Sequence, residues 1–455
     1  MTSLQRQMGQ SDFVAVSGVV LIISAILFGG ATRVDVLAPL IPRLVAIGIL
    51  AALIWRGQLG IASWSRAEQV IWALLFAVPL IQLIPLPYTV WSQLPGREYA
   101  RSITAALDMQ PWLQISLTGN GTVNALLALL PGFAAYALAR QATERQMRTW
   151  LFLLFWAGLA SAVLGLAQLA SGTESGLRFY AITNADSAVG FFSNANHHAS
   201  FLACCMLLAG YWLIERLSDA RSGAEPATFA FFITAVAIMA AAVLFTFSRA
   251  GLAFVALIVL AAAIFAARRL NLPRRKLIRG SIVVLLVMAA ALYAFLSDPL
   301  VADRMAVDIR GNGRLDLVPT FARIAFDYLP FGSGLGSFDP VFRAYETPSE
   351  LDFNYLNHAH NDYAQLLIEA GLPAALGIAI FLLWWARGAL TVVFRAQGSE
   401  RTRVQAWVAV GVSAIFIAHS LVDYPLRGAA ISVVFAISCA IIARTIAMRT
   451  NSRFE

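Results

Sequence analysis

Charge is what this chain has least of. Asp, Glu, Lys and Arg make up 13% of its 455 residues, against 59% hydrophobic residues and a mean hydropathy of +0.73. A soluble domain carries about 25% charged residues, so this composition excludes one and places the chain in a bilayer. Cysteine is scarce too. Cys204, Cys205 and Cys439 fall inside apolar runs with no C-x-x-C spacing, which excludes a disulfide framework and offers no metal site. They read as small apolar residues at helix interfaces. The strict apolar-polar alternation of a membrane barrel is also missing, and only helices or closed barrels satisfy their backbone in lipid. The expected fold class is therefore all-α, a polytopic membrane bundle in which residues 1–455 form a single transmembrane domain.

A helical span needs about 20 apolar residues. Twelve segments approach that length: 13–30, 37–55, 68–86, 122–139, 149–170, 197–214, 228–247, 250–267, 280–296, 372–387, 405–421 and 428–447. Several are short or abut a neighbour, so the expected number is eleven to thirteen. Basic residues are retained in cytoplasmic loops. With the N-terminus inside, alternate loops hold Arg6; Arg56 and Arg66; Arg140, Arg145 and Arg148; Arg216 and Arg221; the run Arg268 to Arg279; Arg387 to Arg403; and Arg444, Arg449 and Arg453. Both termini are thus expected in the cytoplasm, and the net charge of +8 is mainly this topology signal. Because the basic residues are spread over short loops, no nucleic-acid partner is expected. Arg6 followed by an apolar run resembles a signal peptide, but no clear cleavage site follows, and the segment reads as the first span.

Three outward segments are long, 87–121, 171–196 and above all 297–371, and long loops in compact proteins tend to be functional. The last mixes Arg, Asp, Tyr, Phe and Gly and is expected to fold into short helices capping the bundle. Leu315–Tyr328 has the apolar spacing of an amphipathic helix lying against the membrane. Arg314 follows Gly311-Asn312-Gly313 and opens that helix. A guanidinium there can reach a bound anion with two parallel hydrogen bonds, or pair with Asp308 or Asp316. Phe247-Ser248-Arg249-Ala250-Gly251 sets a lone arginine on a tight turn between two apolar runs. Arg249 either faces a cavity or snorkels to lipid phosphate, and both readings put it near phosphate.

Two of the five histidines stand together in Asn357-His358-Ala359-His360-Asn361-Asp362-Tyr363. Asn361 or Asp362 is a suitable N-cap for a helix that Gly371 ends and Pro373 restarts as the next span. His360 then sits at a helix N-terminus, where the dipole favours neutral imidazole and attracts anions. A neutral histidine is what a general base requires. The other readings are a structural histidine bonded to a loop carbonyl, or a His358/His360 metal pair for which no third ligand stands nearby. Phe192-Ser193-Asn194-Ala195-Asn196-His197-His198 and His419-Ser420-Leu421-Val422-Asp423-Tyr424-Pro425 belong to the same face, although each can simply cap a helix. Glu369 is placed to buttress an arginine. Gly332-Ser333-Gly334-Leu335-Gly336 lacks the strand a nucleotide loop needs before it.

Ser248-Arg249-Ala250-Gly251, Gly313-Arg314, Pro330 to Phe338, His358-Ala359-His360-Asn361-Asp362-Tyr363 with Glu369-Ala370-Gly371, and His419-Ser420-Leu421-Val422-Asp423 together resemble the O-antigen ligase and Wzy polymerase superfamily. The resemblance covers roughly residues 190–430. It implies a GT-C-type fold in the bacterial inner membrane and a metal-independent, inverting glycosyltransferase with no cofactor. The donor it implies is an undecaprenyl-diphosphate-linked glycan, used on the periplasmic face beside membrane lipids. It also implies that Arg249 and Arg314 bind the donor diphosphate and that His360 is the base or positions the acceptor. His358, Asn361, Tyr363 and Asn196 are the further candidate substrate-binding residues. Two arginines that stabilise charge on a diphosphate leaving group can take the place of a metal ion. The acceptor stays open between lipid A-core for a ligase, another lipid-linked repeat for a polymerase and a protein hydroxyl for the related oligosaccharyltransferases, with 87–121 as a candidate for shaping that choice. Two other classes are kept. A polysaccharide flippase or transporter would show more ionisable residues in mid-membrane, and a non-catalytic assembly subunit would tolerate loss of His360.

Overall fold

The computed structural model describes residues 3–33, 35–218, 226–269, 275, 279, 297, 317–347, 356–396 and 398–451. Its regular structure is almost wholly helical, with α1 (Ser3–Phe28), α2 (Leu40–Trp55), α3 (Arg66–Gln82), α4 (Tyr88–Trp91), α5 (Glu98–Ala106), α6 (Gly119–Gln141), α7 (Glu144–Ala170) and α8 (Ala195–Ser218) in the first half. The second half holds α9 (Pro226–Leu244), α10 (Arg249–Arg269), α11 (Val318–Asp327), α12 (Phe338–Tyr345), α13 (Asp362–Arg395), α14 (Glu400–His419) and α15 (Ala429–Asn451). One short antiparallel pair, β1 (Pro85–Leu86) with β2 (Leu113–Gln114), closes the base of the 85–117 segment.

Among the described residues, seven helices are long and apolar enough to cross a membrane: α6, α7, α8 to Arg216, α9, α13, α14 and α15 to Met448. Asp12–Phe28, Leu40–Trp55 and Arg249–Phe265 are apolar but shorter. The segment read as a third span, 68–86, falls on α3, whose 17 residues end at Gln82. At 1.5 Å per residue that helix is about 25 Å long, short of the ~30 Å hydrocarbon layer. The segment 280–296 lies outside the described residues. A helical membrane fold therefore stands, with seven helices long and apolar enough to span among the described residues, where the sequence reading marked twelve segments.

Helix α15 runs between α1, α6, α13 and α14, and α8 between α7, α9, α10 and α14. Small buried residues permit this, since Ala430, Ala436, Ala440 and Ala443 line α15 and let backbones approach closely. The three cysteines are buried and free, on α8 and α15. Helix starts are fixed locally. Ser65 with Glu68 and Thr143 with Gln146 form capping boxes, each satisfying two orphan N–H groups.

The loops of one end are tied to each other. Ser193 N donates to Gly30 O, Ala188 N to Phe245 O, Leu117 N to Ser333 O and Asp362 N to Ser420 O. Helices α11 and α12 pack Phe321, Ile324, Phe338 and Phe342 with Ile368 into a small second core. The helix expected over Leu315–Tyr328 is thus present from Val318, but its apolar face is buried against the protein where the sequence reading laid it on the membrane. Its opening residue Arg314 lies outside the described residues. Helix α13 is two helices meeting at Gly371, where φ is +57°. A Cβ there would stand 2.3 Å from the Pro330 carbonyl oxygen, so only glycine fits both the left-handed conformation and the contact. This is the break that Gly371 and Pro373 signalled in the sequence.

Candidate functional site

Asn361 caps α13 by accepting a hydrogen bond from Ala364 N at 3.0 Å, which leaves His360 just outside the helix. His360 has φ +48°, a left-handed conformation uncommon for a residue with a side chain and concentrated at functional sites. Its Nδ1 stands 3.2 Å from Asp423 Oδ1. Asp423 is fully buried at the turn after α14, and its Oδ1 also accepts the Tyr424 N–H at 2.9 Å. Two more imidazoles approach the same carboxylate: His197 Nε2 lies 3.8 Å from Oδ1 and His419 Nε2 3.9 Å from Oδ2. Asp423 Oδ2 has no hydrogen-bond partner among the described residues.

Tyr424 organises the group from the other side. Its ring centroid lies 4.2 Å from that of His358, 4.9 Å from His360 and 5.1 Å from His197. Four of the five histidines in the chain therefore meet at one point, brought from α8, the 356–361 loop and the end of α14. The fifth, His198, is bonded through Nδ1 to the Ala188 carbonyl at 2.8 Å and has a structural place. Burial would raise the Asp423 carboxyl, but the His360 hydrogen bond and the neighbouring His197, His360 and His419 hold it below the ordinary carboxylate range. Burial, the Arg427 charge and His360 push His358 well below its ordinary 6.5, so His358 is neutral at pH 7.

A second polar chain continues from His358. Its Nδ1 is 3.3 Å from Gln365 Oε1, and Gln365 Nε2 donates to Glu369 Oε1 at 2.9 Å. Arg427 Nη2 is 3.5 Å from Glu369 Oε2, and its Nε donates to Asp362 Oδ1 at 2.9 Å. Burial lowers the Arg427 pKa, yet the Glu369 and Asp362 carboxylates outweigh it and raise it. Glu369 does buttress an arginine, as its position suggested. Arg427 itself was missed in the sequence, because its partners lie 65 and 58 residues away along the chain (427 − 362 and 427 − 369). The DYPLR run that carries it was the available signal.

The remaining candidates are placed as follows. Arg249 is exposed at the first residue of α10, straight after Phe247, whose φ is +56°, and Ser248, whose Oγ accepts the Gly251 N–H at 3.2 Å. A Cβ on Gly251 would stand 2.5 Å from that of Ala199, so α10 is seated directly against α8 beside His197 and His198. From α10, Phe254 reaches to 5.8 Å from the His419 ring. Asn196 is half-buried in the first turn of α8. Tyr363 donates its hydroxyl to Ile417 O at 2.9 Å, tying α13 to α14. The Gly332–Gly336 loop is held by Gln82, whose Nε2 donates to Phe331 O at 3.3 Å and whose Oε1 accepts from Leu335 N at 2.9 Å. It is a structural turn. A buried carboxylate that orients the imidazole of a partly exposed histidine is an arrangement suited to moving a proton.

A comparison with curated proteins finds no match. The family model described as O-antigen ligase matches residues 234–379, a stretch that includes Arg249, Arg314, His358 and His360 but ends before Asp423 and Arg427. Over that stretch the chain is similar to the O-antigen ligase family.

Proposed function

We propose that the protein is a glycosyltransferase that moves glycan from an undecaprenyl-diphosphate-linked donor to an acceptor hydroxyl at the periplasmic face of the inner membrane. The observation that carries this reading is the His360 Nδ1 to Asp423 Oδ1 contact of 3.2 Å. With Nδ1–H donating to Asp423, Nε2 is the basic nitrogen and takes the proton of the acceptor hydroxyl. The hydroxyl oxygen attacks the anomeric carbon. The bond from that carbon to the diphosphate oxygen breaks, and the leaving group departs with the electron pair, so the configuration inverts. Arg249 and Arg314 stabilise the charge that develops on the diphosphate, which supplies electrophilic help without a metal. Asp423, held ionised, balances the imidazolium as it forms.

A transporter reading is less well supported, since the titratable groups of this cluster sit at helix ends and not at mid-span. The test uses purified protein with a lipid-linked glycan. Arg314→Ala and His360→Ala are expected to abolish transfer, and intact transfer in both would remove the enzymatic reading. Analysis of glycans from a deletion strain separates the two family activities: single repeats point to a polymerase, and full-length chains left on the carrier point to a ligase. A reporter fused at residue 345 is expected outside the cytoplasm and one at 273 inside it.

A further inference from the structure

Helix α5, in the segment between α4 and β2, is almost uncovered by the rest of the protein. Of its nine residues only Ala100 and Thr104 are partly buried. At about 100° per residue its side chains divide into two faces. Tyr99, Ile103 and Leu107 recur every four positions with Ala106 beside them, while Glu98, Arg101 and Ser102 occupy the other side. The polar face is satisfied, since Arg101 pairs with Glu98 at 3.5 Å and donates to the Ser92 carbonyl at 3.2 Å. The apolar face is not. Tyr99 is 73% exposed, Ile103 46% and Leu107 62%, and Trp112 in the turn that follows is 68% exposed.

A contiguous apolar row on a surface element marks an interaction site, and the surroundings of α5 say what covers it. The β1–β2 pair ties the segment to the end of α3, and Ser116 N donates to Gln82 O at 2.9 Å. On α3 and just beyond it Leu80, Ile81 and Ile84 are each about half exposed, and in a membrane bundle such an outward apolar row faces lipid. Because α3 is shorter than the hydrocarbon layer is thick, its end delivers the segment into the interface and not clear of the membrane. Tyr and Trp collect at that depth, and a helix with one apolar and one charged face lies in that plane.

The segment is also held firmly. The fully buried Arg97 has its guanidinium 5.7 Å from the Trp91 ring centroid and 5.6 Å from that of Tyr328, a cation shared by two aromatic rings, and its Nη2 donates to the Ile115 carbonyl. Leu117 N donates to Ser333 O at 2.9 Å. Gln82 Nε2 donates to Glu369 O at 2.9 Å. Hydrogen bonds therefore link α5 to the Gly332–Gly336 loop and to the first half of α13.

We propose that α5 and the turn to Trp112 form an interfacial foot resting in the head-group layer, with Tyr99, Ile103, Leu107 and Trp112 in lipid, and that this foot fixes the height of the Gly332–Gly336 loop relative to the bilayer. The membrane-lying role expected for Leu315–Tyr328 thus falls to α5. The assignment needs the membrane fold and not the glycosyltransferase reading, so the two fail separately.

The test is spin labelling of single introduced cysteines in the full-length protein, reconstituted in vesicles of phosphatidylethanolamine and phosphatidylglycerol mixed three to one. Cys204, Cys205 and Cys439 are buried, and the protein without an introduced cysteine serves as the blank. Ser102→Cys, Ile103→Cys, Ala105→Cys and Leu107→Cys all fall at exposed positions, so none removes a packed side chain, and Ile81→Cys is the lipid-facing reference. Each label is probed by collision with oxygen, which concentrates in lipid, and with a nickel chelate, which stays in water. Oxygen is expected to dominate at 103, 107 and the reference, and the chelate at 102 and 105. The proposal is overturned if the chelate dominates at all four α5 positions, which puts the helix in water. It is equally overturned if oxygen dominates at all four, which sinks the helix into hydrocarbon, or if 103 and 107 meet neither reagent, which means that protein covers the face.

Discussion

Glu68 and Asp423 are both buried carboxylates, 4% and 0% exposed, and the protein holds them in opposite ways. Glu68 Oε1 accepts from the Tyr136 hydroxyl at 2.5 Å and lies 2.9 Å from Arg140 Nε, while Oε2 accepts from Ser65 N at 2.8 Å. Both oxygens are occupied, and the partner is an arginine that never gives up its proton. Asp423 has three histidines around it, a hydrogen bond from only one of them, and an oxygen with no hydrogen bond among the described residues. The first arrangement is electrostatically closed and serves to pin α3 to α6. The second leaves one carboxylate oxygen unbonded among imidazoles that can donate or accept a proton, which is what proton transfer needs. The Arg148–Glu215–Arg401 group at the end opposite the histidine cluster shares with Glu68 only the permanently charged arginine partners, since both arginines approach Oε1 of the almost fully buried Glu215 and Oε2 has no hydrogen bond among the described residues.

This contrast is broken most severely at His360. Loss of a positioned base costs about 10²–10⁴-fold in rate, so His360→Ala is expected to lower kcat for glycan transfer by that factor while the melting temperature in detergent stays close to wild type. The mirror-image experiment is Arg140→Met. Removing one member of a buried ion pair costs about 3–5 kcal/mol, so this variant is expected to lose stability heavily, with kcat of the surviving folded fraction unchanged. A large kcat defect in Arg140→Met would erase the distinction between the two carboxylates. Asp423→Asn is next. Losing a partner that orients a working histidine costs on the order of 10–100-fold, and the expected split is a fall in kcat with KM for the donor little altered, because Asp423 touches His360 and not the substrate.

The smallest effect is on stability against pH. Burial holds His358 neutral, with its pKa well below the 6.5 of an exposed imidazole, so the unfolded chain binds a proton there before the folded one does. Stability contributed by this group is complete above about 6.5 and falls as pH drops below it, by at most ~1.4 kcal/mol per pH unit. The depressed Asp423 carboxyl contributes stability above its unfolded range near 3.8 that is lost only at lower pH, so the two windows separate. Unfolding of wild type and His358→Gln between pH 7 and 5 checks this, and the expected result is a flatter profile in the variant. An unchanged slope would mean that His358 is protonated in the fold.

What the sequence revealed and what it hid divide along sequence separation. The cap at Asn361 and the break at Gly371 are local events, set by residues within a few positions of each other, and both appear where the pattern put them. Membrane character follows from composition, which needs no contacts. The meeting of His197, His360, His419 and Asp423 depends on how α8, α13 and α14 pack, over separations of 63 residues for the His360 contact and 226 for the His197 contact (423 − 197). Motif order ranks such residues as candidates but does not say that they share one carboxylate. Arg427 was hidden for the same reason, and α3 reads as apolar in the sequence while carrying the buried polar residues Glu68 and Gln82 near its two ends.

The central claim is that His360 and Asp423 act as one unit. The direct measurement is a double-mutant cycle on kcat for glycan transfer by purified protein, with His360→Ala, Asp423→Asn and the two combined. If Asp423 works only through His360, the double variant is expected to be no slower than His360→Ala alone, because groups that act as a unit are strongly non-additive. Full additivity of the two losses, or undiminished transfer in His360→Ala, would contradict the account.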